Sequence, residues 1–231
     1  MRLAGTTAVV TGASRGIGRA IALRLAAAGA EVALWARDRQ ALDAVAAEIA
    51  KAGGKAAAFE CDVSDPAAVE RAAAHVRTAM PEVRTIVNNA GAVLRKATAE
   101  IDDAEWRRVM AINLDGTFHV TRAFLVQLTR TGGRIINIAS RAGREGTALL
   151  APYCAAKHAV VGFTRSLAEE LRTAKVCVNA VCPGSVDTAM LREGLPGARP
   201  EMTPDDIART VLFLATDAPD ALTGTCVDVF G

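Results

Sequence analysis

Seven short runs rich in apolar and β-branched residues punctuate the chain at Thr7–Thr11, Glu31–Trp35, Ala56–Cys61, Thr85–Asn88, Arg134–Ala139, Val176–Val181 and Thr225–Val229. Longer Ala-rich stretches separate them from one end to the other. Strand-sized runs alternating with helix-sized ones predict an α/β fold, a parallel sheet covered by helices on both faces. Within the first Ala-rich stretch, Ile17, Ile21 and Leu25 share one helical face, and Gly29 follows where a left-handed terminating residue is wanted. No repeat, low-complexity tract or Pro/Ser-rich linker marks a boundary, so one domain is expected over residues 1–231. The densest group of turn formers, Gly194 to Pro200, reads as a loop inside that domain.

Composition narrows the function. The 27 basic and 25 acidic residues give a net charge of +2, and no like-charge block suggests nucleic acid. No apolar run approaches the roughly 18 residues of a membrane span, and no export signal precedes the first strand. A soluble cytoplasmic protein is expected. The five cysteines include no C-x-x-C pair and read as reduced, buried small hydrophobes. His75, His119 and His158 are too scattered to form a metal site by pattern, and none is expected.

The loop Thr11-Gly12-Ala13-Ser14-Arg15-Gly16-Ile17-Gly18 joins the first strand to the first helix. Glycines there let a phosphate approach backbone N–H groups, and the helix N-terminus favours an anion. The spacing G-x-x-x-G-x-G departs from G-x-G-x-x-G, so the turn has a plain packing explanation as well. The chain's one tyrosine, Tyr153, precedes Lys157 by four residues, which puts both on one helical face. Free phenol ionises near pH 10; a neighbouring ammonium would lower that value and make the pair an acid–base catalyst. Ionisation of Tyr153 below the free-phenol value is therefore expected.

Taken together, Thr11–Gly18, Asn88-Asn89-Ala90-Gly91, Asn113, Ser140, Tyr153-x-x-x-Lys157 and Pro183-Gly184-x-x-x-Thr188 resemble, in order and spacing, the short-chain dehydrogenases/reductases. The resemblance runs from Thr7 to Val229. It implies a single Rossmann-type, doubly wound domain with a seven-stranded parallel sheet in the order 3-2-1-4-5-6-7. It also implies an NAD(P)-dependent oxidoreductase moving hydride between nicotinamide and a ketone or secondary alcohol. By the same resemblance Tyr153 is the proton donor, Ser140 holds the carbonyl oxygen, Lys157 also grips the nicotinamide ribose, and Asn113, in a long helix through Trp106–Gln127, holds a relay water. Cofactor contacts fall to Gly12, Ser14, Arg15, Gly16, Ile17, Gly18, Asp62, Val63, Asn89, Ala90, Gly91, Pro183, Gly184, Val186 and Thr188. A dinucleotide-binding regulatory protein without turnover is the alternative.

NADP(H) is favoured over NAD(H): the position that is acidic in NAD-using relatives is Ala36, followed by Arg37, and Arg15 approaches from the glycine loop. Asp38 competes if the register slips by two. Residues 185–203 are expected to form a substrate lid, with Met190, Leu191 and Leu195 as its apolar face and Arg144, Leu149 and Leu150 as further lining. The chain resembles bacterial 3-oxoacyl-(acyl-carrier-protein) reductases in particular. The two arginines that dock the carrier in those enzymes fall at Thr131 and Ala174, with Arg130, Arg172 and Lys175 nearby but out of register. A homotetramer or homodimer is implied.

Overall fold

The structure, a computed structural model, describes residues 3–231. Seven parallel strands form one sheet in the order β3-β2-β1-β4-β5-β6-β7. They are β1 Thr7–Thr11, β2 Glu31–Ala36, β3 Lys55–Glu60, β4 Val83–Asn88, β5 Gly133–Ile138, β6 Val176–Pro183 and β7 Cys226–Val229. Every strand expected from the sequence is present with ends shifted by at most two residues. Two strands shift by two residues: β4 starts at Val83, before Thr85, and β6 runs on through Cys182 and Pro183 because β7 pairs with them, Pro183 opposite Val229.

Helices cover both faces, and alternation along the strands decides which side chain meets which layer. Val10, Leu34, Val87, Ile136 and Val181 pack under α1 (Gly16–Ala27), α2 (Arg39–Lys51) and α8 (Pro204–Thr216). Val9, Trp35, Ile86, Ile135 and Val178 pack under α3 (Pro66–Ala79), α5 (Gly116–Thr131) and α6 (Ala151–Glu170). A polar tie crosses the second layer: Asn88 donates to Thr121 and to Asn137, and Asn137 donates to Thr164. It locks β4 and β5 to α5 and α6 at the height where the site begins.

The long helix expected through Trp106–Gln127 is interrupted. Helix α4 (Asp103–Met110) passes through a π-turn at Ala111–Asp115 before α5. The cause is local: the Asn113 side chain donates to the Val109 carbonyl four residues back, the acceptor that a regular α-helical turn gives to the backbone. Between β6 and α8, the expected loop contains a short helix, α7 (Ala189–Gly194), capped by the Thr188 hydroxyl accepting from Leu191 N–H at 3.2 Å. Among the described residues, no helix is long and apolar enough to cross a membrane.

Candidate active site

Strand order reverses between β1 and β4, and the motif loops leave the carboxyl ends of both, where open α/β sheets bind ligands. Thr11 joins the two ends. Its hydroxyl oxygen accepts from Asn89 N–H at 2.9 Å and Ala90 N–H at 3.0 Å, while the Asn89 side-chain amide donates back to Thr11 and Gly12 carbonyls. The approach is close enough to demand glycine. Gly12 has φ +64°, and a Cβ there would stand 2.9 Å from Asn89 Nδ2; a Cβ on Gly18 would lie 2.2 Å from the Gly12 carbonyl oxygen.

The first turn of α1, like those of α5 and α6, lacks the side-chain cap that other helices carry. Helices α2, α3 and α4 begin on Asp38, Asp65 and Asp102, whose side chains accept from backbone N–H groups, and α8 begins on Thr203, whose N–H and hydroxyl both donate to Asp206. Helix α1 begins on Arg15 with no side-chain cap and no acid in its first turn. Its leading N–H groups are left for an outside acceptor, which fits a dinucleotide's pyrophosphate. Asp38 is committed to Ala41 N–H at 3.0 Å, which answers the competing register.

At the end of β2, Ala36 pairs with Glu60, and Arg37 extends into solvent, 73% exposed, with its guanidinium 4.0 Å from Asp62. Partial burial raises the Asp62 carboxyl, but two hydrogen bonds from Ser64 and the charge of Arg37 outweigh it, so its pKa is lowered. Arg15 is exposed and, among the described residues, has no ion-pair partner. Val63 packs against Gly116, where a Cβ would meet it at 2.6 Å, so its place is fixed by the start of α5.

The catalytic candidates converge at the ends of β4, β5 and β6. Tyr153 is 9% and Lys157 4% exposed. Lys157 Nζ donates to the Ile138 carbonyl at 2.8 Å and stands 5.7 Å from the centroid of the Tyr153 ring. The Asn113 side-chain amide donates to Ala92 and Val109 carbonyls, both at 2.8 Å, leaving its Oδ1 buried without a partner. Gly91 faces both groups: a Cβ there would lie 2.9 Å from Asn113 Oδ1 and 3.7 Å from Lys157 Nζ. Ser140 Oγ accepts from Ala142 N–H at 3.1 Å and also interacts with the Tyr153 hydroxyl.

One expectation is reversed. Burial raises the Tyr153 phenol to about 12, with Ser140 pulling weakly the other way, and Lys157 is not among the groups that shift it. Burial likewise lowers Lys157 to about 8. The i,i+4 spacing places the ammonium over the ring and against a β5 carbonyl, so desolvation outweighs charge tuning.

Over the phenol lies an apolar shell. Val93, Val109, Ala142, Leu150, Tyr153 and Cys154 form it, with Leu94, Met190 and Leu195 packed against them, and Met190 Sδ is 4.0 Å from the Tyr153 hydroxyl. Leu191 is not part of that shell, Leu149 turns outward with φ +66°, and Arg144 is held by Asp228 at 3.1 Å. Thr188 borders the glycine loop, its Cγ2 3.4 Å from where a Gly16 Cβ would be, and Gly184 is pressed against Phe230. His158 bonds its own helix at Cys154 O, and His119 bonds Val63 O, so neither reaches the phenol. The residues that sequence reasoning passed over are Val93 and Gly143. A Cβ on Gly143 would sit 2.7 Å from Lys157 O, and the signal was a glycine soon after the β5 terminus.

A dinucleotide-type cleft beside a half-buried Ser140 and a buried Tyr153 and Lys157 defines a Rossmann-type oxidoreductase. The model of the short chain dehydrogenase family matches residues 6–197, and the chain belongs to that family. It is 39% identical to a 3-oxoacyl-(acyl-carrier-protein) reductase of Synechocystis sp., over 99% of this chain and 97% of that one. It is 38% identical to 3-oxoacyl-(acyl-carrier-protein) reductase FabG of Pseudomonas aeruginosa, covering 100% and 98%. Among solved structures, a variant of actinorhodin polyketide ketoreductase with NADPH superposes with a TM-score of 0.91 at 35% identity, covering 98% of this chain and 96% of that one.

Proposed function

We propose that the protein is an NADPH-dependent carbonyl reductase and alcohol dehydrogenase acting on a ketone or secondary alcohol, with 3-oxoacyl thioesters within its substrate class. The observation that carries this reading is a buried Tyr153 with Lys157 Nζ 5.7 Å from its ring and bonded to the end of β5, where Ser140 follows, under an apolar shell and across from the glycine loop that opens α1. The names and contents of the relatives support it.

The dinucleotide supplies hydride to the carbonyl carbon when bound. Gly12–Gly18 and the first N–H groups of α1 would hold its pyrophosphate, and Asp62 and Val63 would border the adenine. Asn89 to Gly91, Pro183, Gly184, Val186 and Thr188 would line the remainder. Tyr153 donates its proton to the substrate oxygen, and Ser140 hydrogen-bonds that oxygen as negative charge develops. A phenol kept protonated by burial suits the reducing direction. Lys157 would hold the cofactor ribose beside Tyr153; the unpartnered Oδ1 of Asn113, next to it across Gly91, suits a relay water that resupplies the proton.

Preference for NADP(H) rests on Ala36 in place of an acid, on Asp38 being used as a helix cap, and on two exposed arginines, Arg15 and Arg37. The whole chain acts as one domain in which residues 185–203 form the lid, in the cytoplasm and as a homotetramer or homodimer. The test is to follow NADPH and NADH oxidation against ketones and 3-oxoacyl thioesters, with Tyr153→Phe as control. Turnover that is faster with NADPH and abolished in the control is expected; dinucleotide binding without turnover on any carbonyl would refute the assignment.

A further inference from the structure

The mouth of the apolar shell is built by three segments. Ala92–Lys96 follows the Gly91 turn, Thr147–Leu150 precedes α6, and Ala189–Leu195 crosses above Tyr153. They are tied together: Lys96 N–H donates to Leu149 O at 2.9 Å, and Gly194 packs so closely on Val93 that a Cβ there would be 3.1 Å from Val93 Cγ2. An apolar pocket with a few placed polar groups gains its specificity from those groups.

The cations around this mouth are almost all neutralised. Lys96 pairs with Glu105 at 2.7 Å, Arg192 with Asp187 at 2.7 Å, Arg141 with Glu145 at 3.3 Å and Arg144 with Asp228 at 3.1 Å. Arg95 is the exception. Among the described residues no carboxylate pairs with it, and its one polar contact is a long Nη1 hydrogen bond to Gly194 O at 3.5 Å. That contact, on the residue that Val93 also touches, holds the guanidinium at the entrance and leaves most of its five N–H donors free. The fork of a guanidinium fits a carboxylate or phosphate through two parallel bonds. The cations near the expected carrier-docking positions are elsewhere: Arg130, Arg172 and Lys175 flank the amino ends of β5 and β6, away from this mouth.

We propose that Arg95 is a specificity-determining residue that grips an anionic group, carboxylate or phosphate, carried by the substrate in addition to the carbonyl that is reduced. This rests on the reading of the site as a carbonyl reductase. The substrate class it selects is the oxo-acid, or the oxoacyl thioester of a phosphorylated carrier arm, over the neutral ketone of equal length.

The experiment compares two matched pairs of substrates: a 3-oxo acid against its methyl ester, and a 3-oxoacyl pantetheine against its 4′-phosphate. For each pair the ratio of kcat/KM, charged over neutral, is measured in the wild type, Arg95→Met, Arg95→Lys and Arg199→Met. Arg95→Met is expected to lower the ratio about tenfold in one pair, through KM, and that pair identifies the anion as carboxylate or phosphate. Arg95→Lys should retain part of the preference, since it keeps the charge but loses the fork. Equal losses on charged and neutral substrates would show that Arg95 only latches α7, and would overturn the proposal. An unchanged ratio would overturn it too, as would an equal effect of Arg199→Met, an exposed arginine farther along the 185–203 segment than the residues that build the mouth, which would indicate a general positive field and not a specific grip. Absence of turnover on all four substrates in the wild type would instead strike at the carbonyl reductase reading itself.

Discussion

The two ends of the proposed site are held by opposite physics. Around Tyr153 and Lys157 the polar groups are buried, their pKa values are moved by desolvation, and each has one packed position. Around Arg15 and Arg37 the cations reach into water, 73% exposed in the case of Arg37, over a glycine loop that offers backbone rather than side chains. Burial gives the catalytic end geometric definition and costs stability; exposure leaves the nucleotide end adjustable and open to screening. Substitutions at the first end should therefore have large effects that salt does not alter, and those at the second small effects that salt weakens.

The largest effect is expected for Tyr153→Phe. Removing the only hydroxyl placed to give a proton to the substrate should cut kcat by about 10³ to 10⁴, with the fold intact by circular dichroism. Residual activity near the wild-type level would break the comparison at its catalytic end. Lys157→Met comes next, with two consequences. Turnover should fall by about 10² or more, while stability rises. The lysine's folded pKa of about 8 lies below its ordinary 10.5, so this group's contribution to stability is full above about pH 10.5 and is lost as pH falls through 8. At pH 7 it is a buried charge costing on the order of 3 kcal/mol, offset by about 1 kcal/mol from its bond to Ile138 O. The variant should melt a few degrees higher at pH 7, and the difference should shrink toward pH 10. A lower melting temperature would reject desolvation as the dominant force there. In the wild type, kcat/KM for reduction should fall above about pH 8 as Lys157 loses its proton.

Gly91→Ala probes the same end without removing a titrating group: its Cβ would only touch Lys157 Nζ, at 3.7 Å. Its Cβ would stand 2.9 Å from Asn113 Oδ1, so the amide must shift, and a displacement under 1 Å is expected to reduce kcat some tens of fold while stability changes little. Wild-type kinetics would mean that Asn113 Oδ1 has no part in the proton path.

How far the sequence disclosed this division depends on the kind of signal. Strand runs and turn glycines are set by local sterics and by burial on both faces, so β1 to β7 and the roles of Gly12 and Gly18 in close packing were legible residue by residue. The gathering of Ser140, Tyr153 and Lys157 was legible through the family pattern. The sign of the tyrosine's shift was not, because i,i+4 spacing reports adjacency and says nothing of what covers the pair; Val93, Leu150 and Met190 arrive from three separate segments. The π-turn at Asn113 was hidden for a related reason, since it arises from one side-chain bond to Val109 O inside an unbroken helical pattern. Helix α7 escaped because six residues carry too little periodicity to stand out from the turn formers after it.

The smallest expected effect lies at the nucleotide end and tests the contrast most sharply. Arg37 is tethered to Asp62 by a 4.0 Å pair that solvent screens, so the tether itself contributes little. What the guanidinium can offer is recognition of a 2′-phosphate, which a ribose hydroxyl cannot return. Arg37→Ala should therefore raise KM for NADPH about five- to tenfold, leave KM for NADH nearly unchanged, and leave kcat with either cofactor intact. Raising the salt concentration should erode the wild-type preference toward that of the variant, whereas the Tyr153→Phe deficit should be the same at any ionic strength. Equal changes for the two cofactors would remove Arg37 from phosphate selection. A fall in kcat would do more: it would show that the exposed and buried ends are mechanically coupled, and that the division drawn between them is false.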